Sequence, residues 1–251
     1  MAYPFFTAES LMVDGPGFAP FGRGHLVSLA LCGISVVGLV QAYGAMPRDD
    51  GTWGERRRTL ATIACAMLLM RLSHDAFCIV AGSFGASWWP LHLCNLCELL
   101  CAAYVLMPCD GLGQAVFGLA LPSGLLALAF PGWSYCPLLT WASVCGFAEH
   151  AAMVSFALAL AYGGDVAVRP RRAWVPILVL SCYLCAIFPL NHLLGTNFAF
   201  VNWPIAGTPL VPLADRFGNP GYLMPYLGII VGTIYGQSWL AALLQDRLGL
   251  L

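Results

Sequence analysis

The stretch "PLHLCNLCELLC", from Pro90 to Cys101, carries a histidine, an asparagine, a glutamate and three cysteines inside a long apolar run. Such a stretch belongs to a metal site, to a catalytic site, or to a membrane helix that tolerates a few polar residues. The sequence around it decides which kind of fold holds these groups.

The composition is that of a membrane protein. The 251 residues are 60% hydrophobic and 9% charged, whereas soluble domains carry about 25% charged residues. A membrane-spanning helix needs roughly 20 mostly apolar residues. Seven such runs are predicted, at 24–44, 59–82, 90–107, 111–130, 137–162, 172–194 and 221–245. The sequence therefore predicts an all-α, polytopic membrane bundle of about seven transmembrane helices.

The predicted organisation is a single domain with two short flanks. Residues 1–23 form an interfacial N-terminal segment, 24–245 the seven-helix transmembrane domain, and 246–251 a short cytoplasmic tail. The first segment lacks the positive start and the continuous apolar core of a signal peptide. A net charge of −1, without a basic face or a phosphate-binding glycine loop, gives no indication of nucleic-acid binding.

Arginine placement predicts the orientation. Arg23 and Arg216 fall on one side of a seven-span arrangement, and Arg71 falls within the second span. The other eight fall on the opposite side: Arg48, Arg56, Arg57, Arg58, Arg169, Arg171, Arg172 and Arg247. The positive-inside rule then places the N-terminus outside and the C-terminus in the cytoplasm.

The cysteines are predicted to pack rather than to pair. There are eleven, an odd number, and nearly all fall within the predicted spans. Cys136 is predicted to be the one exposed on the outer side, and Cys109 lies at the opposite face. Free cysteine behaves as a small buried hydrophobe, so no disulfide framework is expected.

The second predicted span has one charged face. In "RLSHDAFC", Arg71, His74, Asp75 and Cys78 follow the spacing i, i+3, i+4 and i+7, which places them on the same side of a helix. A central Arg or Asp costs roughly 3 kcal/mol on insertion, so this face must look into the bundle. Two interpretations remain: an Arg71–Asp75 pair that joins helices, or a functional site.

The opening stretch gives only a weak metal pattern. At about 100° per residue, His92 lies opposite the three cysteines, and Asn95 lies closer to His92. Pro90 suits a helix start, so His92 is expected in the first turn, facing a cavity. The sequence identifies no metal ligand and no cofactor.

Other polar residues point to the same zone. Glu149 and His150 are adjacent in the fifth span, and Pro189 is predicted to open the sixth helix just before Asn191. The outer half is predicted to hold His25, His74, Asp75, His92, Asn191, His192 and Asn197. The middle of the membrane is predicted to hold Arg71, Glu98, Glu149 and His150. We therefore expect an outward-facing polar cavity.

The seventh span carries a double GxxxG pattern, formed by Gly228, Gly232 and Gly236. Small residues at this spacing allow two helices to approach closely. Packing within the bundle is the favoured interpretation, and contact between copies in an oligomer is the alternative.

Four stretches carry a family resemblance: "FGRGH", "PLHLC", "EHAAM" and "NHLLGTNFAFVNWP". Their order and spacing resemble the YwaF family of bacterial integral membrane proteins, which is related to the eukaryotic transmembrane protein 164 family. The eukaryotic relatives are acyltransferases that move fatty acyl chains between phospholipids. The resemblance implies a multi-pass protein of the bacterial cytoplasmic membrane that acts on membrane lipids.

The resemblance also implies site residues. His92 and His150 match the family's histidines, and one of them would act as general base, assisted by Glu149 or Asp75. The eukaryotic cysteine nucleophile immediately precedes the first histidine, where this chain has Leu91. The nucleophile would then be water, a lipid hydroxyl or another side chain. Substrate binding is assigned to Arg71, His74, Asp75, Asn191, Asn197 and His25.

Three functions remain open on the sequence alone. The first is a lipid acyltransferase or lipid hydrolase. The second is a transporter or permease for a small polar solute, with Arg71 and Asp75 as charge-compensating groups. The third is a non-catalytic binding or assembly factor, whose histidines would hold a metal such as zinc.

Overall fold

The computed structural model describes residues 3–13, 15–47, 54–205 and 207–250; Arg48 lies outside them. Within these ranges the chain is helical and has no β-strand. The helices are α1 (Arg23–Ala45), α2 (Glu55–Val80), α3 (Leu93–Leu106), α4 (Asp110–Ala129), α5 (Trp141–Tyr162), α6 (Trp174–Leu194), α7 (Leu210–Phe217) and α8 (Leu223–Arg247). Short 3-10 turns lie at Glu9–Leu11, Ala86–Trp88, Pro170–Arg172 and Phe198–Phe200.

Seven of the helices, all except α7, are long and apolar enough to cross a membrane, which confirms the predicted all-α bundle. The third span includes the 3-10 turn and reaches from Ala86 to Leu106. The short amphipathic helix α7 was not predicted. Its eight residues make barely two turns, too few for a hydrophobic period to be recognised.

The centre of the bundle is the α4–α5 pair. The two helices pack along each other; α4 also contacts α3 and α6, and α5 contacts α1 and α2. Glycines permit the close approach on α4: a Cβ at Gly118 would lie 2.4 Å from Pro176, and one at Gly124 would lie 2.7 Å from Val154. Helices α4 and α5 are therefore the rigid core on which the other spans rest.

The regularly spaced glycines of α8 do not bring this helix close to another helix of the same chain. A Cβ added at Gly228, Gly232 or Gly236 would meet no atom within 4 Å. The packing predicted within the bundle was wrong, because α8 turns this face away from its neighbours. Contact between two copies through these glycines stays a prediction.

The spanning helices alternate in direction, so the bundle has two chemically different ends. At one end, His25 at the start of α1 lies 2.8 Å from the carbonyl oxygen of Leu128 at the end of α4. At the other, Arg57 near the start of α2 donates to the carbonyls of Val105 and Leu106 at the end of α3. We call these the histidine end and the arginine end.

Arg56 fixes the arginine end. Its guanidinium donates to the carbonyl of Gly163 at 2.7 Å, to that of Met46 at 3.0 Å and to that of Gly44 at 3.3 Å, and it pairs with Asp165 at 3.2 Å. The last carbonyls of a helix have no partner within the helix. One buried arginine therefore closes the ends of α1 and α5 together.

We expect Arg56→Ala to lower the free energy of unfolding by about 3 kcal/mol, because Asp165 and the helix-end carbonyls lose a charged partner. This corresponds to a fall of roughly 6–12 °C in Tm. Arg58→Ala is the matched control, since Arg58 is exposed two residues away on the same helix. Thermal unfolding in detergent measures both; equal Tm values for the two variants would contradict the anchoring role.

Two sequence-based expectations at the histidine end were wrong. Cys136 is fully buried, because Met12 and Tyr3 of the N-terminal segment pack over it. Burial raises the pKa of Cys136 to about 12.

Pro189 does not open α6, which continues to Leu194. A proline removes one backbone hydrogen bond, and the remaining ones hold the helix through its last turn.

Candidate functional site

The first feature of the candidate site is an ion pair on α2, between Arg71 and Asp75. Arg71 Nε donates to Asp75 Oδ2 at 3.1 Å, and its Nη2 lies 2.9 Å from Oδ1. The same Nη2 donates to the carbonyl of Trp88 at 2.8 Å. Both side chains are largely buried, at 15% and 14% exposure. The predicted pair is formed, and it also ties α2 to the turn that precedes α3.

Two further buried carboxyl groups lie on the helices that pack against α2, Glu98 on α3 and Glu149 on α5. Asn95 Nδ2 lies 3.5 Å from Glu98 Oε2. Three neighbouring helices thus carry one arginine and three acidic side chains inside the bundle. Ionisable groups gathered inside a membrane bundle usually mark a functional site.

His150 is held in a defined orientation and tautomer. Its Nδ1 lies 2.7 Å from the carbonyl oxygen of Gly146, and because a carbonyl only accepts, Nδ1 must carry a proton. The ring stacks on Trp133, with centroids 5.1 Å apart and planes inclined by 21°. In the neutral ring, Nε2 is therefore the acceptor, as a general base requires.

Two buried polar atoms, one on the residue before His150 and one on its stacking partner, have no hydrogen-bond partner within the described parts of the chain. They are Glu149 Oε1, an acceptor, and the indole Nε1 of Trp133, a donor. Buried polar atoms are nearly always hydrogen-bonded in proteins. Because Trp133 stacks on His150, its unpartnered N–H indicates a place for a polar ligand next to the His150 ring.

His92 occupies the N-cap position of α3, directly before the first turn that was predicted to hold it, and Pro90 lies outside the helix. Its backbone N–H donates to Asn95 Oδ1 at 3.1 Å, and its Nε2 lies 3.3 Å from the carbonyl oxygen of Ser87. The half-buried ring meets the edge of Phe198 at 5.0 Å. No hydrogen bond or ring contact among the described residues joins His92 to His150.

The loop after α6 is built by its asparagines. Asn191 Oδ1 accepts from Thr196 Oγ1 at 2.9 Å and from the N–H of Phe198 at 2.8 Å, and its Nδ2 donates to the Phe198 carbonyl at 2.9 Å. Asn197 accepts from the N–H of Asn202 at 3.0 Å. These amide groups are occupied by the protein itself, which places Phe198 against His92. Contact of either asparagine with a substrate stays a prediction.

We expect Asn191→Leu to loosen this loop. The substitution leaves three buried groups without partners, at about 1–3 kcal/mol each, and 1.4 kcal/mol is a factor of ten in the open population. Limited proteolysis within residues 196–203 is expected to accelerate at least about tenfold. His192→Ala is the control, because His192 is exposed and contacts the carbonyl of Phe188 and its ring. Equal cleavage rates in the two variants would contradict this role.

His25 is held by hydrogen bonds at both of its ring nitrogens. The N–H of Phe21 donates to Nδ1 at 2.8 Å, so Nε2 carries the proton that is donated to the Leu128 carbonyl at 2.8 Å. The residue is fully buried. These contacts favour a neutral, structural histidine, and the predicted part in substrate binding stays a prediction.

His74 contacts a residue that sequence reasoning missed. Its Nε2 lies 2.6 Å from Oε1 of Glu9, in the N-terminal segment. The hydroxyl of Tyr135 donates to the other oxygen of Glu9. Burial, and then the neighbouring Glu9 carboxylate, raise the pKa of Tyr135 far above its ordinary value, so it remains a donor. The available signal was a lone glutamate among apolar residues, with no periodicity to place it.

Three comparisons with known proteins bear on these residues. A protein-family model described as the TMEM164 family matches residues 20–241. This range contains every predicted site residue and leaves Glu9 outside. No curated protein and no solved structure matches the chain.

Proposed function

The chain belongs to the TMEM164 family of membrane proteins, and we propose that it is an enzyme of the bacterial plasma membrane that hydrolyses or transfers lipid acyl groups. The observation that carries the proposal is the surroundings of His150. Its Nδ1 is fixed by Gly146, its ring is stacked on Trp133, and the buried indole N–H of Trp133 has no hydrogen-bond partner among the described residues. This is the arrangement that an oriented general base requires.

The proposed reaction assigns a task to each group. His150 Nε2 takes the proton from the hydroxyl of water, or of an acceptor lipid, as its oxygen attacks the ester carbonyl. The Trp133 indole N–H and Arg71 stabilise the negative charge that develops on the carbonyl oxygen. When the tetrahedral intermediate collapses, the ester C–O bond breaks and His150 returns the proton to the leaving alcohol. Glu149 supports the imidazolium that forms in between.

Phospholipid binding is assigned to His92 and Arg71. An imidazole N–H and a guanidinium are both suited to phosphate oxygens. His92 lies at the start of α3, and its bond to the Ser87 carbonyl is long at 3.3 Å, so exchange for a headgroup oxygen is inexpensive. In this assignment His92 positions the substrate and His150 transfers the proton.

A lateral groove supports access by a lipid chain. It lies between α1 and α5, measures about 840 Å³ and is mostly apolar, with Leu31, Leu39 and Phe147 among its lining residues. From Arg23 to Leu39 it follows about 24 Å of α1, longer than one leaflet of about 15 Å. Phe147, which lines the groove, also contacts Trp133 with ring centroids 5.5 Å apart, and Trp133 stacks on His150.

The proposal is tested in proteoliposomes that contain a phospholipid with isotope-labelled acyl chains. The wild-type protein is expected to release labelled fatty acid or to form a second labelled lipid. Protein-free liposomes and the His150→Ala variant are expected to do neither. Absence of both products with wild type, over a range of phospholipid headgroups and acceptor lipids, would overturn the proposal.

The ionisable cluster supports a second candidate, transport of a small polar solute. One arginine and three carboxyl groups, carried inside the bundle by the packed helices α2, α3 and α5, resemble the groups that relay protons or compensate charge in transporters. Solute and proton flux in the same proteoliposomes tests this candidate. Flux without lipid turnover would replace the enzyme proposal with the transport proposal.

A further inference from the structure

A second group of chemically active side chains lies apart from His150. It consists of Glu9 from the N-terminal segment and of His74 and Cys78 from α2. All three are buried, and each offers a ligand atom within 4.8 Å of the other two. We propose that these residues bind a divalent metal ion, and that zinc is the ion whose preferences they fit.

The donor set matches zinc chemistry. Zinc is bound by cysteine sulfur, histidine nitrogen and carboxylate oxygen, and this group offers one of each. A zinc ion with the Glu9 carboxylate and the Cys78 thiolate is electrically neutral. Neutrality matters here because an uncompensated buried charge is strongly unfavourable. The nearby Arg71–Asp75 pair is balanced internally, so it leaves the balance of the three ligands unchanged.

The two distances from His74 need adjustments of less than 1 Å. His74 Nε2 lies 2.6 Å from Glu9 Oε1 and 4.0 Å from Cys78 Sγ, and all three ligand atoms lie within 4.8 Å of one another. Tetrahedral zinc separates a nitrogen and an oxygen ligand by about 3.4 Å, and a nitrogen and a sulfur ligand by about 3.6 Å. The His74–Glu9 distance must therefore increase and the His74–Cys78 distance must decrease. Glu9 lies on a short 3-10 turn outside the spanning helices.

The protons have defined destinations. Metal binding displaces the thiol proton of Cys78 to solvent. Without metal, a proton lies between His74 Nε2 and Glu9. When Nε2 binds the metal, the histidine carries its proton on Nδ1 instead, which lies 3.8 Å from Asp75 Oδ1. A ligating histidine whose other nitrogen faces a carboxylate is the common outer arrangement of zinc sites. Binding is therefore expected to weaken as the pH falls.

The positions of the three ligands in the chain indicate what a bound ion would do to the structure. The three ligands come from two separate parts of the chain, so the ion would fasten the N-terminal segment to α2. Tyr135, which already donates to Glu9, would serve as an outer hydrogen-bond partner. Three protein ligands leave one coordination position open for water, as in catalytic zinc sites. The inference does not depend on the lipid activity proposed for His150.

The test uses the full chain, purified through a tag that contains no histidine. Zinc per chain is measured by elemental mass spectrometry, and cobalt is titrated into the zinc-depleted protein to detect a thiolate-to-cobalt absorption band. The variants are Cys78→Ala and Glu9→Gln. Cys101→Ala is the control, since Cys101 is equally buried but lies on α3. All four proteins are compared on size exclusion.

Wild type and Cys101→Ala are expected to bind about one ion per chain, with a thiolate band. The Glu9→Gln variant is expected to lose at least about tenfold in affinity, and Cys78→Ala is expected to lose the band. Absence of zinc and cobalt uptake by wild type would overturn the proposal. Equal uptake by wild type and Cys78→Ala without a thiolate band would also overturn it, because the metal would then be bound elsewhere.

Discussion

Replacing His150 with alanine is expected to reduce lipid turnover by about 10²–10⁴-fold, the usual contribution of a positioned general base. The structure gives the reason: His150 has its Nδ1 fixed by the Gly146 carbonyl and its ring stacked on Trp133. Initial rates in proteoliposomes measure the effect. Because substrate contacts are assigned to His92 and Arg71, the loss is expected in kcat more than in KM.

His192→Ala is the matched control for this prediction. It also removes an imidazole from the histidine end, but His192 is exposed and lies on α6 with only Phe188 as described partner. Its turnover is expected to equal that of wild type. A His150→Ala variant that keeps more than half of the wild-type rate would remove His150 from the mechanism. An equal loss of lipid turnover in both variants would indicate a general disturbance of the structure.

Replacing Arg71 with methionine is expected to destabilise the bundle by about 3–5 kcal/mol, because Asp75 is left as a buried charge without its partner. The Trp88 carbonyl loses its donor as well. Combining the change with Asp75→Leu removes the unpaired charge, and replacing both members of a buried pair is often neutral. We therefore expect the double variant to recover most of the Tm.

Activity separates the two interpretations of this pair. If Arg71 also stabilises negative charge in the reaction, the double variant is stable but lacks lipid turnover. A double variant that is both stable and active would show that the pair is purely structural. A single Arg71→Met variant with unchanged Tm would contradict the buried ion pair itself.

The spans could be predicted from the sequence because bilayer thickness fixes helix length. The start of α3 was predicted only to within a few residues: Pro90 was expected in the first turn, whereas α3 begins at Leu93. Burial of Cys136 was not predictable. It depends on the N-terminal segment folding back over the loop before α5, and no periodicity in residues 1–23 indicates that contact.

The sequence predicts which residues belong to the candidate site better than it predicts the contacts that they make. The face shared by Arg71 and Asp75 follows from helix geometry, and the positions of His92 at a helix start and of His150 in mid-span follow from the spans. Hydrogen bonds decide what each group can do, and they depend on tertiary structure. His25 is engaged at both nitrogens by backbone groups, whereas His150 keeps one nitrogen as an acceptor. The sequence alone does not show this difference in hydrogen bonding between the two histidines.

Mass-spectrometric lipid profiling tests the central claim most directly. Membranes are compared that express wild type, His92→Ala, His150→Ala or His192→Ala at matched levels. The account predicts a change in phospholipid acyl chains or free fatty acid with wild type and His192→Ala, and no change with His92→Ala or His150→Ala. Identical profiles for all four proteins, with each shown to be folded in the membrane, would contradict it.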